Sequence, residues 1–266
     1  MKLGIVGHGF VGKAVDFAFT HPSMEKTIVD PVYNTDISIL SKTPHDVVFV
    51  CVPTPQQNTH FDVDVSSVRQ VLSDLYDRNY KGIVVIKSTI TPDHLTTMKK
   101  DFKLKLVYNP EFLTEANSLQ DFINPNMQVL GGKWRDCEAV EKAYIRHSSV
   151  KTVPTFKTDL ITASLIKYTI NSWLAVKVTF FNELFELFEK SGAAPQWSQF
   201  TDMITRDPRM GETHMQVPGP DGKFGYGGHC FPKDTKAFLY YSKLYKKKLT
   251  ILEHAIQLNE KHREKS

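Results

Sequence analysis

The sequence predicts an α/β fold, a doubly wound parallel sheet over residues 1–154 followed by a helical domain over residues 155–266. Three observations carry that expectation. Short β-rich runs alternate with helix-length segments through the first half, the pattern of βαβ units. Runs such as Val47-Val48-Phe49-Val50-Cys51-Val52 are apolar throughout, as strands covered on both faces are. After Val153-Pro154 the alternation stops, and residues 159–191 read as one helix with no Pro or Gly before Gly192.

In chain order, apolar β-formers place strands at 2–6, 27–30, 47–52, 83–87, 104–108, 128–131 and 150–153. Helical patterns fill 12–20, 65–79, 92–102 and 137–147 between them. The long helix is apolar almost all round between Trp173 and Phe188, so it should be buried, as a helix between two subunits would be. A loop dense in Gly and Pro covers 206–228, and helices at 232–244 and 251–261 close the chain.

Composition narrows the classes. Hydrophobic residues make up 41% of the 266 and charged residues 23%, enough to bury a core and too apolar for disorder. A formal charge of +4 is too small to point to nucleic acid. No run approaches the roughly 18 apolar residues of a membrane helix, and Gly7, His8 and Gly9 break the first apolar run too early for a signal peptide. Cys51, Cys137 and Cys230 have neither disulfide-like nor metal-ligand spacing. No metal site and a reducing, cytoplasmic setting are expected.

Gly7-His8-Gly9-Phe10-Val11-Gly12 follows the first strand and opens the first helix. Glycines there let backbone N–H groups approach a pyrophosphate at the helix N-terminus, and an acid at the end of the second strand accepts the ribose hydroxyls. Asp30 stands in that place and is followed by Pro31-Val32-Tyr33 with no Arg, which favours NAD over NADP. The first domain is therefore expected to be a Rossmann-like NAD-binding domain.

Other segments carry polar groups at strand ends, where ligands of parallel sheets sit. Lys87-Ser88-Thr89 ends a strand, and its hydroxyls can face a cleft or cap the next helix. Asn109-Pro110-Glu111-Phe112-Leu113-Thr114-Glu115 follows another, which places Glu111 and Glu115 for the cleft, on one face if that turn is helical; the alternative is a solvent-exposed acidic turn. Lys167 and Asn171 lie four apart on the long helix among Ile166, Tyr168 and Ile170, either buried with partners or at an edge with the lysine snorkelling to water. Phe224-Gly225-Tyr226-Gly227-Gly228-His229-Cys230-Phe231-Pro232-Lys233-Asp234 is the most informative segment. Pro232 suits the first helical position and Asp234 the first turn, which sets Cys230 at a helix start where a thiolate is favoured. A nicotinamide site combined with a nucleophilic thiol suggests oxidation beyond an aldehyde, through a thiohemiacetal and a thioester.

These strings, together with Val52-Pro53-Thr54-Pro55 and Phe181-Asn182-Glu183, occur in the order of the UDP-glucose/GDP-mannose dehydrogenase family, which the chain resembles over nearly its whole length. The resemblance implies oxidation of the C6 hydroxyl of a nucleotide sugar, most readily UDP-glucose, to a carboxylate with two NAD. It makes Cys230 the covalent nucleophile, Lys167 and Asn171 the groups that steady oxyanion and alkoxide, and Asp234 the holder of a water. Thr89, Glu111 and Glu115 would organise the hydrolytic water. Gly7, Gly9, Phe10, Val11, Gly12, Asp30, Val52, Pro53, Thr54, Thr89, Glu115 and Lys233 match cofactor contacts. Glu111, Phe112, Leu113, Lys167, Asn171, Phe224, Gly225, Gly227 and Cys230 match substrate contacts, and Arg209 resembles an arginine that reaches the sugar across a dimer. A homodimer through helix 159–191 follows. Only 36 residues come after Cys230, too few for the family's further C-terminal nucleotide-gripping domain, so a short form is expected. Two rivals are a one-step β-hydroxyacid dehydrogenase and a non-catalytic NAD- or nucleotide-sugar-binding module.

Overall fold

The computed structural model describes residues 1–42, 45–57, 61–114 and 117–264. They divide into two compact units, 1–55 with 63–167 and 56–62 with 168–266.

The first unit is built on seven strands: β1 (Lys2–Val6), β2 (Glu25–Val29), β3 (Val47–Val50), β4 (Ile83–Ile86), β5 (Lys105–Tyr108), β6 (Gln128–Gly132) and β7 (Thr155–Thr158). Their order is β2-β1-β3-β4-β5-β6-β7. The first five are parallel, β6 runs antiparallel to β5, and β7 is parallel to β6. The sheet is thus mostly parallel, with one reversal that the strand–helix alternation does not reveal. Helices α1 (Phe10–Ala18), α2 (Ile39–Lys42), α3 (Ser66–Asp77), α4 (Pro92–Asp101), α5 (Ser118–Ile123) and α6 (Trp134–His147) connect the strands. Leu3, Ile5, Val47, Phe49, Val85 and Val107 face one core with Val15 of α1, Phe122 of α5 and Val140 of α6. Their alternates Val48, Val50, Val84 and Ile86 are equally buried, so the sheet is covered on both sides, which is why these strands carry no polar positions.

The expected strand at 150–153 does not form. The Lys151 N–H donates to Ile123 C=O at 2.8 Å, and the Val150 N–H to the Ser148 hydroxyl at 3.2 Å. The strand is instead Thr155–Thr158, in register with Gln128–Gly131, so the first unit's sheet continues past residue 154.

The second unit holds most of α7 (Leu160–Ser191), α8 (Trp197–Ile204), α9 (Cys230–Leu244), α10 (Thr250–Glu264) and the loop between α8 and α9. Phe181, Trp197, Met215 and Val217 form one core, ringed by Phe185, Phe188 and Phe200, and Leu239, Leu252 and Ile256 form another. On α7, Trp173, Phe180 and Leu187 are 63%, 55% and 63% exposed. Seven residues apart, they lie on one stripe of the helix. Among the described residues no helix is long and apolar enough to cross a membrane, and no three His, Cys, Asp or Glu gather as metal ligands.

Candidate active site

In the first unit the expected residues gather at the carboxyl ends of the parallel strands. Gly7, one residue past β1, has φ +88, and a Cβ there would meet Cys51 backbone at 2.8 Å. A Cβ on Gly12 would stand 1.9 Å from Gly7 carbonyl oxygen, so α1 packs this closely only with glycine. Gly9 caps α1 with nothing within 4 Å of its Cβ position and no side-chain bond to the helix N-terminus. That leaves open the space and the N–H groups a pyrophosphate takes. Asp30 follows β2; its Oδ2 accepts the His8 N–H at 2.6 Å and its Oδ1 the Val32 N–H at 2.9 Å. Those bonds, first the one from His8, hold the carboxyl below its ordinary range, as an ionised ribose acceptor requires. These residues fit a dinucleotide.

Past β3, Thr54 Oγ1 donates to Thr89 C=O at 2.9 Å, which ties the turn after β3 to the turn after β4. Ser88 Oγ donates to Val52 C=O at 2.6 Å, so this hydroxyl fastens the sheet edge and does not cap α4. Past β5, the segment to Thr114 is not helical, and Glu111 is 8% exposed, so the solvated acidic turn does not form there. Glu115 lies outside the described residues. Lys167 Nζ donates to Glu111 C=O at 2.6 Å and to Oε1 at 3.2 Å, and lies 5.5 Å from the centre of the Phe112 ring. Burial pushes the Glu111 carboxyl up, but the Lys167 charge and the Leu113 N–H outweigh it and hold the group ionised. Lys167 is 2% exposed and does not snorkel.

A lysine beside the Ser88 and Thr89 hydroxyls carries no motif of its own in the sequence. Lys87 is 4% exposed, with Nζ on Asn109 Oδ1 at 3.1 Å, and burial lowers its ammonium to about 8. Its place at the end of an apolar strand was the available signal. Asn109 also accepts from Tyr144 Oη at 2.8 Å and donates to Val129 C=O at 2.9 Å, a buried network under the Glu111 turn.

In the second unit Cys230 is the first residue of α9 and is half-buried. The helix begins two residues earlier than Pro232 suggests: Pro232 is third, where its missing N–H is still tolerated, and Asp234 lies beyond the first turn. Burial pushes the other thiols up, Cys51 to about 12 and Cys137 to about 11, which leaves both protonated at neutral pH. Asp234 is 1% exposed and held from two sides, by Asn171 Nδ2 on Oδ2 at 2.6 Å and Lys233 Nζ on Oδ1 at 2.5 Å. Asn171 and Lys233 thus meet on this carboxylate. Arg209 is 87% exposed and forks onto its neighbour Asp207. Its loop is pinned by Lys177, whose Nζ donates to Met210 and Gly211 carbonyls at 2.8 and 3.2 Å. Phe224, Gly225 and Gly227 precede Cys230 in the loop that leads into α9.

A glycine-rich turn after β1, an acid after β2 and the strand order β2-β1-β3-β4-β5 are those of an α/β dinucleotide-binding fold. Residues 32–147 match the NAD binding domain of the UDP-glucose/GDP-mannose dehydrogenase family and residues 161–261 match its central domain; the chain belongs to this family. It is 34% identical over 199 residues to a UDP-glucose 6-dehydrogenase of Rickettsia conorii, covering 72% of this chain and 44% of that one. A UDP-glucose 6-dehydrogenase of Campylobacter jejuni is 27% identical over 98% of this chain and 72% of its own. Among solved structures, a UDP-glucose dehydrogenase from Pyrobaculum islandicum superposes with a TM-score of 0.80 at 22% identity, over 98% of this chain and 68% of that one. The chain spans about half the length, or less, of the first curated relatives it matches.

Proposed function

We propose that the protein is an NAD-dependent dehydrogenase that oxidises the C6 hydroxyl of a nucleotide sugar, UDP-glucose first among candidates, to a carboxylate. The observation that carries the reading is Cys230 at the start of α9 while the other two thiols are held protonated by burial. Bound by the turn at residues 7–12 and Asp30, NAD would supply the hydride acceptor for each of two oxidations. Cys230 sulfur adds to the aldehyde carbon formed in the first, giving a thiohemiacetal. Loss of the second hydride and of the hydroxyl proton gives a thioester on Cys230, and water releases the acid and restores the thiol. Lys167, charged and buried on Glu111, is suited to steady negative oxygen. Asp234 is suited to orient the hydrolytic water, and Asn171 and Lys233 fix its carboxylate. Thr89, Glu111, Phe112, Leu113, Phe224, Gly225, Gly227 and Arg209 keep the family's contact roles as part of the same reading.

A homodimer through α7 belongs to the reading. Its support is the exposed apolar stripe Trp173, Phe180 and Leu187, which has the spacing of a helix–helix seam. A cytoplasmic setting is the corresponding location.

The test is NADH yield per sugar across a panel of nucleotide sugars. Two NADH per carboxylate formed is expected. One NADH per substrate, with Cys230→Ser still active, would replace the proposal with one-step alcohol oxidation. Tight NAD binding without turnover on any sugar would replace it with a binding role. For the dimer, sedimentation should show a pair that Phe180→Glu splits; a wild-type monomer at working concentration removes it.

A further inference from the structure

The loop that leads to Cys230 is held by two asparagines far away in sequence. Gly225 N–H donates to Asn182 Oδ1 of α7 at 2.9 Å. The next residue, Tyr226, has both backbone groups taken by Asn259 of α10: its N–H donates to Oδ1 at 2.6 Å, and its C=O accepts from Nδ2 at 3.0 Å. Both asparagines are buried, at 1% and 6% exposure. Gly225 stands at φ +73, and a Cβ there would meet Asn259 Oδ1 at 2.4 Å, so the loop is closed directly against the amide.

Tyr226 passes that restraint on to α9. Its buried ring meets Phe231 of α9 nearly edge-on at 6.1 Å. The Phe231 C=O is itself fixed within the helix, accepting from Thr235 Oγ1 at 2.7 Å. Phe231 follows Cys230. A buried amide that uses its donor and its acceptor on one peptide residue fixes that residue's position and orientation, and leaving those backbone groups unpaired is costly.

We propose that Asn259, with Asn182 as its second point, is a positioning residue for Cys230: α10 sets the place of the nucleophile through the backbone of Tyr226. This deepens the reading of Cys230 and rests on it for its catalytic consequence, but its test needs neither cofactor nor sugar. The full chain is alkylated with iodoacetamide between pH 6 and 10, and the Cys230 peptide is followed by mass spectrometry, with the Cys51 and Cys137 peptides as internal references. In Asn259→Ala the rate at Cys230 near pH 7 should fall about tenfold and its pH midpoint should rise, as the thiol leaves the helix N-terminus. The two reference thiols should keep their rates. A folded Asn259→Ala protein with the wild-type rate and midpoint at Cys230 overturns the proposal.

Where Asn259→Ala does not fold, Asn182→Ala, which removes the Gly225 bond and the one from Asn182 Nδ2 to Val178 C=O within α7, should slow Cys230 about threefold; an unchanged rate there overturns it equally. Failure of the nucleophile reading shows elsewhere, as carboxylate formed by Cys230→Ser.

Discussion

Two glycine-rich loops divide the labour of the molecule, and they differ in what their missing side chains make room for. In Gly7-His8-Gly9-Phe10-Val11-Gly12 the tight contacts are backbone to backbone within the first fifty-odd residues, and the side of Gly9 is open. In the loop before Cys230, Gly225 is pressed against Asn259, and Gly227 against Arg263, whose Nη2 would stand 2.8 Å from a Cβ there. The first loop keeps space for a ligand. The second gives its space to the protein's own side chains, which fix the chain leading into α9.

The sharpest separation is between chemistry and binding. Cys230→Ser should cut carboxylate formation more than about 10³-fold while NAD affinity stays within about twofold, measured by NADH absorbance and calorimetry. Next come the glycines themselves. Gly225→Ala meets a left-handed φ and a buried amide, and should cost about 2–3 kcal/mol of stability in urea titration. Gly9→Ala has open space and φ −76, so it should leave stability within about 0.5 kcal/mol and instead weaken NAD about tenfold. Equal stability losses in the two variants would erase the distinction.

A smaller effect belongs to Asp30. Its carboxyl is lowered first by the His8 N–H and then by the Val32 N–H, so its folded pKa lies below its unfolded one. The contribution is therefore whole above the unfolded carboxylate range and is lost as pH falls through the folded value. Asp30→Asn should weaken NAD about tenfold at neutral pH and abolish that acid-side change in the loop, read by amide exchange at His8 and Val32. A wild-type pH response in the variant would move the titration to another group.

The first loop was legible in the sequence because its constraints are local: a strand, three glycines and an acid at the next strand end. The second is legible only as a cysteine at a helix start. Asn259 reads as one polar residue on a closing helix, and nothing local says that its amide meets Tyr226, 33 residues away. The same limit explains the other departures. Val150-Lys151-Thr152-Val153 has strand composition, but the Lys151 N–H is taken by Ile123, and register with β6 selects 155–158. Glu111 reads either as a cleft acid or as part of a solvated turn, and nothing local says that Lys167, 56 residues on, lies against it. Pro232 is compatible with more than one of the first helical positions, so composition alone could not fix where α9 begins.

The smallest expected effect tests whether α10 grips the second loop through one residue or through its whole length. Arg263 Nη1 donates to Asp221 Oδ2 at 2.7 Å, but the pair is exposed to solvent, 27% and 44%, where screening and side-chain entropy leave such pairs worth about 0–1 kcal/mol. Gly227 is only half-buried and makes contact with the guanidinium without a hydrogen bond, so removing Arg263's side chain lets water take its place without orphaning a buried group. Arg263→Ala should therefore lower the melting midpoint by only a degree or two and keep alkylation of Cys230 within about twofold of wild type. If it slows Cys230 as much as Asn259→Ala does, the grip is spread along the helix. The buried amide then has no privileged part in placing the sulfur.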